Sequence, residues 1–166
     1  GSSYNGRKCG ALADMGSFSF QLSKNMTDGE GGVITTNDMD LAETCEMLVW
    51  AGRKKGHPWY QHFVLASNAR ITEFQGALLL GQLRRLHDQN ARRTANASVL
   101  DGELGEIEGI EPLLTLPTTT AHARKIYMFR YRPEAFAGLN KHRCGSALQA
   151  EPFLVWLADS SLPRIV

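Results

Sequence analysis

What this sequence lacks narrows its function before any motif is read. No apolar run approaches the roughly 20 residues of a membrane-spanning helix, and no signal-peptide pattern stands at the start. No membrane partner is therefore expected, and a cytoplasmic location is. Cysteine is scarce. Cys9, Cys45 and Cys144 are odd in number, far apart and without metal-ligand spacing, which fits a reducing compartment. The five histidines show no metal spacing either, so no metal site is expected. An excess of one charge is also missing: the net charge of +1 argues against a nucleic-acid surface. Internal repeats and low-complexity tracts are absent. What remains, 43% hydrophobic and 21% charged residues, is an ordinary globular composition with length enough to bury one core.

Against that background one stretch stands out, Ser17-Phe18-Ser19-Phe20-Gln21-Leu22-Ser23-Lys24-Asn25-Met26-Thr27-Asp28-Gly29-Glu30-Gly31-Gly32. The aromatic/small alternation of Ser17 to Phe20 predicts a short strand with one face in a core. A polar loop with a single lysine follows, then a glycine cluster that lets the chain reverse tightly. Val33-Ile34-Thr35-Thr36 is a β-branched run suited to a second strand. A lysine held between two buried strands is desolvated, which disfavours the ammonium form and makes the nucleophilic amine accessible. Condensation with a carbonyl needs that amine. Spacing alone fits a solvated lysine beside a hairpin better.

The same stretch resembles the active-site segment of the DegT/DnrJ/StrS family of pyridoxal-phosphate-dependent sugar and cyclitol aminotransferases. The family word, roughly F-S-F-x-x-x-K-N-hydrophobic-T-x-G-E-G-G, is matched from Phe18 through Gly32. By that resemblance Lys24 is the Schiff-base lysine, and Ser19, five residues earlier, hydrogen-bonds the phosphate of pyridoxal 5'-phosphate. Family members that act as dehydratases carry His in place of this lysine, so Lys24 points to transamination. Tyr60-Gln61-His62 and Asn68-Ala69-Arg70 are similar to the family's Y-x-H and N-x-R words. Asn68 lies 44 positions after Lys24 (68 − 24) and is thereby implied to reach the phosphate held by a partner subunit. An amide is a neutral donor suited to that task. By itself Asn68 reads as a turn residue before a helix. Ala66 and Ala69 depart from the Gly and Tyr that usually flank this Asn.

The resemblance covers about residues 1–151 and is already running at Tyr4-Asn5-Gly6-Arg7-Lys8, so it implies a piece of a longer protein. An Asp–Ala–Ala word, whose Asp pairs with the pyridinium nitrogen in the family, is absent. The implied fold is α/β of fold type I, aspartate aminotransferase-like, with a mostly parallel seven-stranded sheet. This chain would supply part of it: residues 1–85 as the end of the large cofactor domain, and 86–166 as a connecting helix and the start of a small α/β domain. The implied reaction moves an amino group from glutamate or glutamine to a keto sugar nucleotide or a cyclitol, in a homodimer. With the other cofactor contacts upstream, the isolated chain is expected to be inactive. The rival reading is a noncatalytic fragment or pseudoenzyme that serves as a packing or dimerisation module.

Elsewhere the signals are local. Asn5-Gly6 predicts a tight hairpin turn between Tyr4 and Arg7-Lys8-Cys9. Asn37 is placed to cap a helix whose face is Leu41, Cys45, Leu48 and Val49, with Gly52 closing it. The basic triplet Arg53-Lys54-Lys55 reads as a solvated loop. Thr72-Glu73-Phe74-Gln75 predicts a capping box on a helix running to about Leu104, with an apolar stripe of Phe74, Ala77, Leu78, Leu83 and Leu86. Arg84–Asp88 and Asp88–Arg92 are spaced for ion pairs on its wet face. Lys125 to Arg132 alternates as a half-buried strand ended by Pro133, and Asn140 to Glu151 fits a helix. Residues 152–166 form an apolar tail without a further reading.

Overall fold

The computed structural model describes residues 1–150, so Glu151 and the tail from 152 lie outside the described residues. β1 (Ser3–Tyr4) and β2 (Arg7–Lys8) pair antiparallel across the predicted turn, where Asn5 and Gly6 both take positive φ. β3 (Met15–Ser19) and β4 (Gly32–Thr36) form a second antiparallel ribbon, with Ser17 opposite Ile34 and Ser19 opposite Gly32. α1 (Met39–Val49) and α2 (Glu73–Gly105) follow. β5 (Ile110–Pro112) then pairs antiparallel with β6 (Phe129–Tyr131). A 3-10 turn at Pro133–Phe136 and α3 (Lys141–Ala150) complete the described elements.

The chain divides into two compact units. One comprises Gly1–Ala97 with Thr115–Ile126, the other Ser98–Leu114 with the residues from Tyr127 on. In the first, β1 is bound to the returning segment by Ser3 N–H to Ala121 C=O at 2.9 Å and Asn5 N–H to Thr118 C=O at 2.7 Å. Its buried apolar residues are Phe20, Leu79 and Ala97. Burying Phe20 or Leu79 contributes roughly 1.5–3 kcal/mol each. Both strands of the β3–β4 ribbon, expected to be half-buried, are exposed along most of their length.

Several boundaries differ from expectation for identifiable reasons. Asp38, not Asn37, caps α1, because its carboxylate accepts from the N–H groups of Asp40 and Leu41 at 2.9 and 3.0 Å. The cap of α2 follows the sequence: Gln75 N–H donates to Thr72 Oγ1, and Gln75 Oε1 accepts from Thr72 N–H at 2.8 Å. The expected strand over 125–132 shrinks to β6, since its partner β5 is only three residues long. Asp88 meets the His87 ring at 3.6 Å in place of Arg84 or Arg92. The packed stripe of α2 is also not the one expected. Phe74 is 89% exposed and Leu78 and Leu83 are exposed, whereas Leu79 is 8% exposed.

In the second unit Glu111 joins two arginines. Arg132 donates through Nε at 2.6 Å and through a terminal nitrogen at 3.2 Å, and Arg130 donates at 3.3 Å. The Arg132 hydrogen bond holds the Glu111 carboxyl below its ordinary value of 4.5. A depressed carboxylate adds stability that is present above its unfolded value and lost as pH falls through the folded one. Glu111→Gln should therefore lower the urea midpoint of the full-length protein near pH 7, and the gap from wild type should narrow as pH falls below 4.5.

After α1, Ala51 and Gly52 both take positive φ, and Gly52 N–H bonds Met47 C=O at 2.7 Å. A Cβ at Gly52 would strike the Val64 carbonyl oxygen, whereas one at Gly56, also at φ +79°, meets nothing within 4 Å. Gly56→Ala should cost about 1–2 kcal/mol for its left-handed backbone alone. Gly52→Ala should cost more than about 2 kcal/mol, because steric displacement is added. Urea unfolding of the two variants side by side checks the difference.

Candidate functional site

Lys24 stands in the loop from Phe20 to Gly31 that joins β3 to β4. The mouth of this loop is closed by Phe20 N–H to Gly31 C=O at 2.8 Å and Asp28 N–H to Phe20 C=O at 3.1 Å. Inside it, Lys24 N–H donates to Gln21 C=O at 2.9 Å, turning the chain back after Ser19. Gln21 Oε1 accepts from the N–H and hydroxyl of Ser23 at 2.9 and 2.7 Å. Gly29 supplies the reversal at φ +95°. Lys24 is half-buried. It does not lie between two buried strands, as expected, because the strands themselves are exposed.

The loop is fastened to α2 by side-chain amides. Gln82 Oε1 accepts from Thr27 N–H at 3.0 Å, and Gln82 Nε2 donates to Thr27 C=O at 2.5 Å. Gln75 Nε2 donates to Glu30 C=O at 2.9 Å. Asn25 Nδ2 donates to Ala123 C=O at 2.8 Å and to Asn90 Oδ1 at 3.3 Å, and Arg93 donates to the same Asn90 oxygen at 3.2 Å. The residues of α2 that turn toward the loop are thus Gln75, Leu79, Gln82, Leu86 and Asn90, none of them exposed. A search for apolar periodicity overlooks this face because glutamine counts as polar. The usable signal was amides and leucines alternating at a heptad-like interval.

Ser19 ends β3, where its Oγ accepts from Gln21 N–H at 3.2 Å. With that lone pair used locally, the hydroxyl proton is available to an outside acceptor. Asn68 lies on the segment after α1 and bridges Trp50. Its Oδ1 accepts from Arg70 Nε at 2.8 Å, which fixes the amide orientation and leaves the NH2 group to donate. No hydrogen bond among the described residues links Asn68 to Ser19 or to Lys24. The basic triplet nearby is taken up internally. Lys54 and Lys55 pair with Glu43 and Glu46 of α1, and Arg53 lies 4.2 Å over the Trp59 ring.

An apolar groove of about 410 Å3 is lined by Phe20 and Met26 of the loop and by Ala77, Leu79, Leu80 and Leu83 of α2, among others. Ser19, Lys24 and Asn68 are not in its lining, so it is separate from the polar candidates. Both carboxylate oxygens of Asp28 are buried without a hydrogen-bond partner among the described residues.

Pyridoxal phosphate asks for an amine to engage its aldehyde and for hydrogen-bond donors around a dianionic phosphate. The donor set fits that demand. Lys24 brings the amine, while Ser19 and Asn68 each spend their acceptor within the chain and keep a donor outward.

The chain is 39% identical over 160 residues to an L-glutamine:2-deoxy-scyllo-inosose aminotransferase of Streptoalloteichus tenebrarius, covering 91% of this chain and 38% of that protein. It superposes on the crystal structure of 3-amino-5-hydroxybenzoic acid synthase with a TM-score of 0.78 at 30% identity, covering 89% of this chain and 38% of the other. A Streptococcus pneumoniae structure, titled a putative sugar aminotransferase in its PLP form, matches with a TM-score of 0.70 at 29% identity, over 79% and 34% of the two chains. The chain therefore spans well under half the length of these relatives, and its fold is a part of the α/β fold type I architecture. The model of the DegT/DnrJ/EryC1/StrS aminotransferase family matches residues 1–152, and the chain belongs to that family.

Proposed function

We propose that this chain carries the lysine-bearing part of a pyridoxal-phosphate-dependent aminotransferase that moves an amino group from glutamine to the keto group of a cyclitol. The observation that carries the reading is the Lys24 loop. One amine is held half-buried on a segment closed at its mouth and fastened to α2, next to a serine whose donor is free. The relatives named as L-glutamine:scyllo-inosose aminotransferases support glutamine over glutamate, and a cyclitol over a keto sugar nucleotide. We take residues 1–85 as the end of the large cofactor-binding domain and 86–166 as the connecting helix and the start of the small domain. Three free thiols and no helix among the described residues long and apolar enough to cross a membrane support a cytoplasmic enzyme.

Bound pyridoxal phosphate supplies the electron sink that lets a proton leave the α-carbon of the amino donor. The protein's part is to bind, orient and carry that proton. Lys24 Nζ would hold the cofactor at its aldehyde and, as an amine, would be the base that takes the donor's α-proton. Ser19 Oγ donates to the phosphate from the same subunit. Asn68 Nδ2, its oxygen held by Arg70, donates to the phosphate in the partner subunit of a homodimer.

In the full-length protein, Lys24→Ala should abolish the visible absorbance of the lysine-bound cofactor and lower kcat by at least about a thousandfold. Ser19→Ala and Asn68→Ala should each weaken cofactor binding about tenfold or more, as expected for losing a hydrogen bond to a charged group, while that absorbance is retained. A full-length protein that neither binds the cofactor nor changes with Lys24→Ala would be the packing or dimerisation module instead.

A further inference from the structure

The amides of α2 have no part in the chemistry proposed for Lys24, yet they engage the loop on its C-terminal side at three points, the Asn25 side chain and the backbone of Thr27 and Glu30. Asn25 is adjacent to Lys24, Thr27 lies three residues on, and Glu30 closes the loop. Their partners Gln75, Gln82 and Asn90 are seven and eight residues apart, about two helical turns each, and so share one face. Gln82 is the central contact. One primary amide gives its oxygen to Thr27 N–H and its nitrogen to Thr27 C=O, the same exchange a neighbouring strand would make.

The geometry points to Gln82 as a positioning residue that fixes the Lys24 loop on α2, with Gln75 and Asn90 as its flanking supports. This rests on Lys24 being the cofactor lysine and adds what holds it in place. Both flanking amides are oriented by a second partner. Gln75 Oε1 is spent on the Thr72 cap, so its nitrogen faces Glu30. Asn90 Oδ1 takes a bond from Arg93 as well as from Asn25. A carboxylate at position 82 would keep the acceptor for Thr27 N–H but place a negative oxygen against Thr27 C=O. A thioether would keep the length and lose both bonds. No other neutral side chain of that length carries donor and acceptor side by side.

The test compares Gln82→Met and Gln82→Glu with wild type in the full-length protein. Backbone hydrogen exchange of the cofactor-free form is read on peptides covering 20–31 and, as control, 39–49. Gln82→Met should speed exchange in the loop at least tenfold and leave α1 within about twofold, with Gln82→Glu between the two. In the loaded enzyme, Gln82→Met should keep the visible absorbance while kcat falls at least tenfold and the KM for glutamine stays within about twofold. Unchanged loop exchange would overturn the inference, and so would an equal rise in α1, which would make Gln82 a general stabiliser. If Lys24→Ala leaves the absorbance intact, the functional reading fails. The exchange result still decides whether Gln82 holds the loop.

Discussion

Backbone groups in the loop from Phe20 to Gly31 must find partners that no sheet ladder supplies, and most of the local structure follows from how that is met. A half-buried N–H or C=O left unpaired costs about 1–3 kcal/mol, so a loop of irregular backbone packed on a helix is unstable unless the helix answers it. α2 answers with amides. Gln82 pairs both backbone groups of Thr27, and Gln75 pairs the carbonyl of Glu30. The ribbon of β3 and β4 brings the two ends of the loop together, and the mouth bonds between Phe20, Asp28 and Gly31 complete the closure. The proposed chemistry is held by this scaffold: an amine on a loop can be placed reproducibly only if the loop itself has one conformation.

The same constraint explains why α2 looks inverted. Helices of soluble proteins usually turn an apolar stripe inward. Here Phe74, Leu78, Leu80 and Leu83 are exposed, while the face against the loop alternates glutamine with leucine. Leu79 is buried on this face, and Gln75 and Gln82 on either side of it meet the polar backbone of the loop. Buried polar groups are tolerated when each finds its partner, and Gln75, Gln82 and Asn90 all do.

What was legible in the sequence was local. The Asn5-Gly6 hairpin, the two strands flanking the glycine cluster and the Thr72–Gln75 capping box depend on a few adjacent residues, and all are present. The family was legible because its word from Phe18 to Gly32 is long and ordered, and the family match bears it out. Long-range features were not. Asn37 and Asp38 are equally plausible caps by type, and Asp38 wins through a bond that orients it, its own N–H donating to Thr36 Oγ1 at 3.1 Å. The extent of β6 depends on β5, which carries no strong strand signal of its own. The packed face of α2 is set by the backbone of a distant loop, and no periodicity of apolar residues reports what a backbone needs.

Directional contacts also settle which residue of the loop stands opposite which turn of the helix. Apolar contact is nearly indifferent to sliding, because it scales with area removed from water and carries no direction. An amide is not indifferent: Gln82 satisfies Thr27 only when N–H and C=O meet its oxygen and nitrogen together. A slip of one residue along an extended segment moves every side chain by about 3.4 Å. A displacement of about 1 Å at a reacting group can already cost a hundredfold in rate. Leucines along this face would leave the backbone groups of Thr27 and Glu30 unpaired and the position of Lys24 to chance. The amides trade some apolar burial for a single register, as a buried asparagine does in a coiled coil. By this argument an amide belongs at position 82 because the loop opposite carries the one side chain whose position the proposed chemistry cannot leave undefined.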